Sequence, residues 1–280
     1  MVKGKISRGP RPESTYGERQ RKAYAHRIQD ACTADNLGHY IAGRWEENEH
    51  YPYTTHLFEN FTPAEREWAI AEGRILDFGC GNGRMMLRVA EVFKQVDGCD
   101  LNPEFLDAAK RYLFQHSELI DHKRTNLYTT DGASGKLQSR LGTAAPQENY
   151  YHFIFSTIVL IHIVPVSVRV QILKDHYNLL TPNGKLCHQM IFCETAEEVR
   201  FGNVAWTEPD FDACTGGTNV VVTREELPII KTTLEEIGFK NVEFSFKPSP
   251  NYPPRPIPQG MAVHEGKYGN CQWIYIRATK

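Results

Sequence analysis

The sequence predicts an α/β fold in which a doubly wound, mostly parallel sheet carries helices on both faces, and three observations predict it. From Arg74 onward, short apolar runs alternate with helical stretches, the pattern of repeated βα units. A glycine-rich turn, Gly79-Cys-Gly-Asn-Gly83, joins the first of these runs to the first helix. An acidic residue, Asp100, closes the next apolar run about twenty residues on.

The bulk properties fit that class. The 280 residues are 41% hydrophobic and 24% charged, which suffices for one large domain with additions and argues against wholesale disorder. A net charge of -2 supplies no global positive field, so a nucleic-acid partner is not expected. Lys3, Lys5, Arg8, Arg11, Arg19, Arg21, Lys22 and Arg27 do form a basic strip, and residues 1–22, rich in Gly, Pro, Ser and charge without an apolar period, read as a flexible basic arm. The cysteines at 32, 80, 99, 187, 193, 214 and 271 show neither C-x-x-C spacing nor the density of a disulfide scaffold and read as reduced thiols. The apolar run from Ile158 to Val166 contains His162 and Pro165 and falls short of the ~20 residues that span a bilayer, and no signal-peptide pattern opens the chain. A soluble, cytoplasmic protein is expected.

Residues 23–72 read as an N-terminal helical cap and substrate lid. They mix polar stretches with aromatics, and Thr62-Pro-Ala-Glu65 has the spacing of a capped helix start. The main domain, 73–280, is expected to place strands at 74–78, 95–99, 125–129, 151–156, 184–192, 241–247 and 271–278. Helices fall between them at 83–93, 103–115, 166–180 and 224–237, the last opened by Thr223-Arg-Glu-Glu226. Two segments break the alternation. An insertion at about 194–222 is expected to help close over substrate, and the proline-rich stretch 248–270 to be a scaffold loop.

The glycine turn sets main-chain N–H groups and a helix N-terminus against an extended ligand. A dinucleotide fingerprint requires G-x-G-x-x-G, but the residue after Gly83 is Arg84, so the third glycine comes one position early. Asp77, at the strand end beside the turn, would repel a diphosphate yet pairs with the ammonium of an aminoacyl group. Asp100 stands where a carboxylate accepts both hydroxyls of a ribose.

These residues carry a resemblance. Ile75-Leu-Asp-Phe-Gly-Cys-Gly-Asn-Gly83 resembles the first motif of class I, Rossmann-like, S-adenosylmethionine (AdoMet)-dependent methyltransferases, and Gly98-Cys-Asp-Leu-Asn102 resembles their ribose-binding acidic motif. Thr130-Asp-Gly132 is similar to the segment that meets the adenine amino group. The stretch from Phe153 to Ile163 is similar to the fourth-strand motif, and Leu179 to Leu186 to the turn into the fifth strand. The resemblance covers residues 74–192 well and 234–276 more loosely. It implies a seven-stranded sheet with one antiparallel strand near its edge, AdoMet as cofactor and S-adenosyl-L-homocysteine (AdoHcy) as product. The cofactor residues it implies are Asp77, Gly79, Cys80, Gly81, Asn82, Gly83, Asp100, Leu101, Asn102, Asp131, Gly132, Ser156 and Thr157.

The acceptor is less constrained, because an activated methyl needs a general base only when the acceptor must lose a proton. His162 follows the fourth strand at the carboxyl edge of the sheet and is the leading candidate base. His50, His56, His116, His188 and His264 are others. Trp45, Tyr51 and Tyr53 are candidate substrate residues, through stacking or cation–π contact with the sulfonium. No metal-ligand cluster appears, so no metal is expected. Ser156-Thr-Ile158 stands where base-nitrogen methyltransferases carry an Asn/Asp-Pro-Pro-aromatic motif, and Asn251-Tyr-Pro-Pro254 lies elsewhere in the chain. The resemblance is best to enzymes that methylate O or N of small molecules, many from natural-product pathways. Ile161-His-Ile163 is also similar to protein α-N-terminal methyltransferases. A peptide acceptor, a non-catalytic AdoMet-binding subunit and an NAD(P) oxidoreductase remain alternatives.

Overall fold

A computed structural model of the chain describes residues 16–22, 53–117, 124–140, 144–194, 204–207, 219–248 and 272–280. Trp45, Tyr51, His50, His264, Cys32, Cys214 and Cys271 lie outside the described residues, as does most of the proline-rich stretch.

The sheet is built from β1 (Arg74–Phe78), β2 (Gln95–Asp100), β3 (Leu127–Thr129), β4 (Tyr151–Thr157), β5 (Leu180–Cys193), β6 (Val204–Ala205), β7 (Val220–Thr223), β8 (Lys240–Pro248) and β9 (Gln272–Thr279). Strands β3-β2-β1-β4-β5 run parallel in that order. β9 then lies antiparallel between β5 and β8. The predicted class and the antiparallel strand are therefore present, and among the described residues the sheet has nine strands rather than seven.

The two extra strands come from the insertion expected to be irregular. β5 is 14 residues long and outruns β4, whose pairing ends at Thr157 beside Gln189. β9 holds one edge of β5 as far as Phe192. On the other edge, which β4 vacates, Val221, Val222 and Thr223 of β7 pair with Ile191, Phe192 and Cys193. All four residues of β7 are buried, so the Val-Val-Val run earns its strand by filling a half-exposed edge.

Helices are α1 (16–22), α2 (Tyr53–Leu57), α3 (Pro63–Glu72), α4 (Arg84–Val89), α5 (Pro103–Gln115), α6 (Val166–Leu179) and α7 (Leu227–Ile237). The capping boxes at Thr62 and Thr223 form as their spacing predicts. α4 is shorter than the expected 83–93. After Val89 the chain tightens, with the Val92 and Phe93 N–H groups both donating to the Val89 carbonyl, and Phe93 turns in to stack with Phe153, ring centroids 6.0 Å apart.

Two expectations for the N-terminal part are corrected. α3 does not sit over the mouth of the domain. Glu65 pairs with Lys185 and Glu72 with Lys94, and the Lys94 N–H donates to the Ala69 carbonyl, all near the amino ends of β5 and β2. Phe58 and Phe61, packed against Phe93 and Phe153, fix α3 on that opposite edge. The second correction concerns residues 16–22, assigned to the flexible arm, which instead form α1, whose contacts reach the loops at the carboxyl edge.

Among the described residues no helix is long and apolar enough to cross a membrane.

Candidate functional site

The strand order reverses between β1 and β4, and the crevice outside their carboxyl ends is where open α/β sheets take ligands. Asp77, Asp100, Asp131 and His162 all follow or end neighbouring strands there, so the topology brings together residues separated by 85 positions in sequence.

Gly79, Gly81 and Gly83 all adopt left-handed backbone, with φ of 77°, 52° and 85°. The Gly79 and Cys80 N–H groups both donate to the Cys99 carbonyl, at 2.8 and 2.9 Å, which ties the loop to β2. A Cβ on Gly81 would meet nothing within 4 Å, so its bare face borders open space. At Gly79 the reverse holds. A Cβ there would strike Val159 at 2.4 Å, so the loop from β4 closes tightly on the glycine turn.

Asp77 is 2% exposed and its Oδ2 has no hydrogen-bond partner. Burial pushes its carboxyl up to about 8, opposed by Arg84 and reinforced by Asp100. Nearby, the buried Asn82 Nδ2 is also unpartnered. A buried carboxyl with an orphan oxygen is costly to maintain and is resolved when a cation arrives. Asp100 is better provided. Gly81 N–H donates to its Oδ2 at 3.0 Å and Asn102 N–H to its Oδ1 at 2.9 Å. Each oxygen keeps a lone pair for a further donor. Burial raises its carboxyl to about 6 against the pull of those backbone donors.

The other predicted cofactor positions divide. Asn102 caps α5, and Leu101 reaches Gly132, where a Cβ would lie 2.8 Å from a leucine methyl. Asp131 Oδ1 is used within its own turn by the N–H groups of Ala133 and Ser134 and by the Ser134 hydroxyl. Thr157 ends β4 half-buried. Cys80 is buried, and burial raises its thiol well above the ordinary value. Cys80 Sγ lies 2.8 Å from where a Cβ of Gly98 would stand, so Cys80 fills space that Gly98 leaves.

Ser156 is a correction. Its Oγ lies 2.6 Å from His188 Nδ1 in the core, which leaves only its backbone to the crevice. The same pair removes His188 from the candidate bases, since its Nε2 contacts His176 Nδ1 at 3.2 Å and burial lowers it to about 3. His116 caps the end of α5 against the Tyr112 ring, and His56 lies in α2 near Tyr275. Tyr53 opens α2. His162, half-buried, ends the turn Leu160–His162 directly after β4. In that approach Ile158 holds a φ of 62°. For a β-branched residue this conformation costs of order 1–3 kcal/mol and recurs at functional sites.

Sequence reasoning missed several residues around the crevice. α1 spans three of the loops. Gln20 Nε2 donates to the His162 carbonyl at 3.0 Å, Arg21 Nε donates to the Leu101 carbonyl at 3.1 Å, and Gly17 rests on the 131–132 backbone. A Cβ at Gly17 would fall 1.8 Å from the Asp131 carbonyl oxygen, so only glycine permits this approach. Gly17→Val is expected to lift α1 away. With two hydrogen bonds of about 1 kcal/mol each at stake, AdoMet affinity by calorimetry should fall by up to roughly thirtyfold with the thermal midpoint little changed. Unchanged affinity would show that α1 takes no part in holding the cofactor.

The insertion is fastened to the same region. Buried Arg169 of α6 donates to the carbonyls of Ile163, Val164 and Trp206 and stacks on the Trp206 ring, 4.6 Å from its centroid. Glu226 accepts from the Thr207 N–H at 2.6 Å and hydroxyl at 2.7 Å. The one sequence signal was an arginine inside the apolar helix Val166-Ser-Val-Arg-Val-Gln-Ile-Leu173.

Fold and crevice define an open, doubly wound α/β domain with a ligand site at the carboxyl edge of its sheet. Residues 76–186 match the family model of a methyltransferase domain. Among solved structures the chain is similar to Haemonchus contortus phosphoethanolamine N-methyltransferase 2 in complex with phosphomonomethylethanolamine and S-adenosylhomocysteine. That match has 16% identity and a TM-score of 0.59, and it covers 97% of this chain and 62% of that one. A Methanosarcina mazei SAM-dependent methyltransferase matches at 17% identity and TM-score 0.52 over 79% of this chain and 98% of that one. The [4+2]-cyclase SpnF matches at 17% identity and TM-score 0.50 over 76% and 77%. At these identities the likeness is one of fold. No curated protein matches the chain in sequence. The matched methyltransferase-domain segment runs from β1 into β5 and carries the glycine turn, Asp100 and His162.

Proposed function

We propose that the chain is an AdoMet-dependent methyltransferase that acts on an oxygen or nitrogen of a small molecule, with AdoMet lying along the glycine loop. The observation that carries the cofactor placement is the buried, unpartnered Asp77 Oδ2 beside the open face of Gly81. In this reading Asp77 pairs with the methionyl ammonium. Asp100 accepts the ribose hydroxyls while its backbone donors hold it in place. The Asp131–Gly132 turn and Leu101 border the adenine. α1 covers the cofactor from outside.

AdoMet supplies a methyl group already activated on its sulfonium. What remains for the chain is to align the acceptor, exclude water and, for a hydroxyl acceptor, take one proton. The His162 imidazole is the group we assign to that proton, because it stands at the carboxyl end of β4. The described part of the insertion, held by Arg169 and Glu226, is assigned to the acceptor side. The small-molecule reading is supported by the number of described elements, α1, β6 and β7, drawn in around the crevice.

Acceptor profiling with isotopically labelled AdoMet tests this reading. Transfer to small phenols, alcohols or amines is expected, and His162→Ala should lower kcat by roughly a hundredfold or more for a hydroxyl acceptor with AdoMet affinity unchanged. Transfer confined to peptide N-termini would replace the small-molecule reading with the α-N-terminal one. AdoMet binding without transfer to any acceptor would leave a non-catalytic AdoMet-binding subunit.

A further inference from the structure

The strands place a row of polar groups on one face of the sheet, outside the cofactor residues. In register, Gln189 of β5 lies beside Tyr275 of β9, and Ile191 beside Trp273. Side chains alternate along a strand, so these four share a face. His188 points the other way, toward His176 of α6. The Gln189 face is turned toward α2, where the His56 ring meets Tyr275 edge-on at 5.6 Å.

These groups are buried and two are unsatisfied. Gln189 is 0% exposed and neither its Oε1 nor its Nε2 has a hydrogen-bond partner. Trp273 is 4% exposed and its Nε1 has none. Buried polar atoms are nearly always paired, and three orphans on two successive rungs of the same face mark a place where something else supplies the partners. The place is also right. Gln189 pairs with Thr157, the last residue of β4, so the row begins level with the carboxyl edge where the methyl donor is assigned.

Charge around the row is already balanced. Glu59 takes Lys247, Arg277 and Ser245, and Arg277 also donates to the His56 carbonyl. Burial and Lys247 lower His56 below its ordinary value, which favours its neutral imidazole. Among the described residues these charges are paired with one another, so a charged ligand would have to compete with an existing ion pair, whereas a neutral group with a donor beside an acceptor would satisfy all three atoms.

We propose that Gln189 and Trp273 form the recognition edge of the methyl-acceptor site, and that the acceptor is an uncharged molecule with an amide-like edge, a carbonyl beside an N–H or O–H. The carbonyl accepts from Trp273 Nε1–H and the Gln189 amide N–H, and the neighbouring donor meets Gln189 Oε1. Its apolar body packs on Ile191 and Tyr275. This rests on the methyltransferase reading and deepens it.

The test uses the full chain saturated with AdoHcy and three probes of similar size: isoquinolin-1-one as the lactam, benzoate as the anion and benzylamine as the cation. The lactam is expected to bind at least tenfold more tightly than either charged probe. Gln189→Leu and Trp273→Phe should each weaken it about tenfold while AdoHcy affinity stays unchanged. Equal binding of the three probes, or lactam affinity untouched by both variants, overturns the proposal. If one variant fails to fold, the other variant and the wild-type probe ranking still decide. Loss of the methyltransferase reading has a different signature, since the wild-type chain would then not bind AdoHcy at all.

Discussion

Asp100→Ala is expected to weaken AdoMet binding by roughly 2–5 kcal/mol, about thirtyfold to several thousandfold in Kd. The range is large because the carboxylate has two tasks. In the proposed reading it accepts the ribose hydroxyls, and it holds Gly81 and Asn102 by their N–H groups, at 3.0 and 2.9 Å. Alanine leaves two partly buried donors unsatisfied and frees the turn that shapes the cofactor crevice. Asp100→Asn separates the tasks. Its amide oxygen retains one acceptor site, so it should fall between wild type and alanine. Calorimetric titration with AdoHcy checks both, and an unchanged Kd in Asp100→Ala would remove Asp100 from the ribose.

The second large effect is in the pH dependence of binding. In the free protein, burial keeps the Asp77 carboxyl protonated up to about 8. An ammonium against it favours the carboxylate, so the bound state has a lower value and binding below about 8 releases a proton. AdoMet affinity should therefore rise with pH, by up to about tenfold per unit between 7 and 8, and level off above. Below about 6 Asp100 also protonates and the fall steepens. Stability of the free protein runs the other way. A carboxyl raised on folding stabilises fully below the ordinary carboxylate range, and that contribution is lost as pH rises through about 8. The thermal midpoint of the free protein should thus drop from pH 6 to 8.5 while the shift produced by AdoMet grows. Asp77→Asn should flatten the binding slope and stabilise the free protein. A slope that survives in Asp77→Asn would assign the proton to another group.

The glycine turn and the two carboxylates beside it were legible because backbone geometry demands particular residues at particular positions. Left-handed φ at 79, 81 and 83 selects glycine, and strand ends select where Asp77 and Asp100 stand. Elements defined by long-range partners were not legible. α1 has no apolar period to announce it, and it is held instead by Gln20, Arg21 and the missing Cβ of Gly17. β6 and β7 exist because β5 outruns β4, a length mismatch no local pattern carries. Ser156 and His188, 32 positions apart, satisfy each other only in the β4–β5 register, so each looked available for the site. The position of α3 followed from where Phe58 and Phe61 pack, which its own sequence does not state. For Gln189 a signal did exist. Two polar residues, His188 and Gln189, interrupt the apolar run Leu186-Cys-His-Gln-Met-Ile-Phe192, and each buried side of the sheet had to provide for one of them.

The most direct test of the central claim, that a cationic aminoacyl nucleoside lies on the Gly79–Gly83 loop against Asp77, is parallel equilibrium titration of the wild-type chain with AdoMet and NADPH. Saturable AdoMet binding that NADPH does not displace, weakened in both Asp77→Asn and Asp100→Ala, is the predicted result. Tight NADPH binding with no affinity for AdoMet would contradict it.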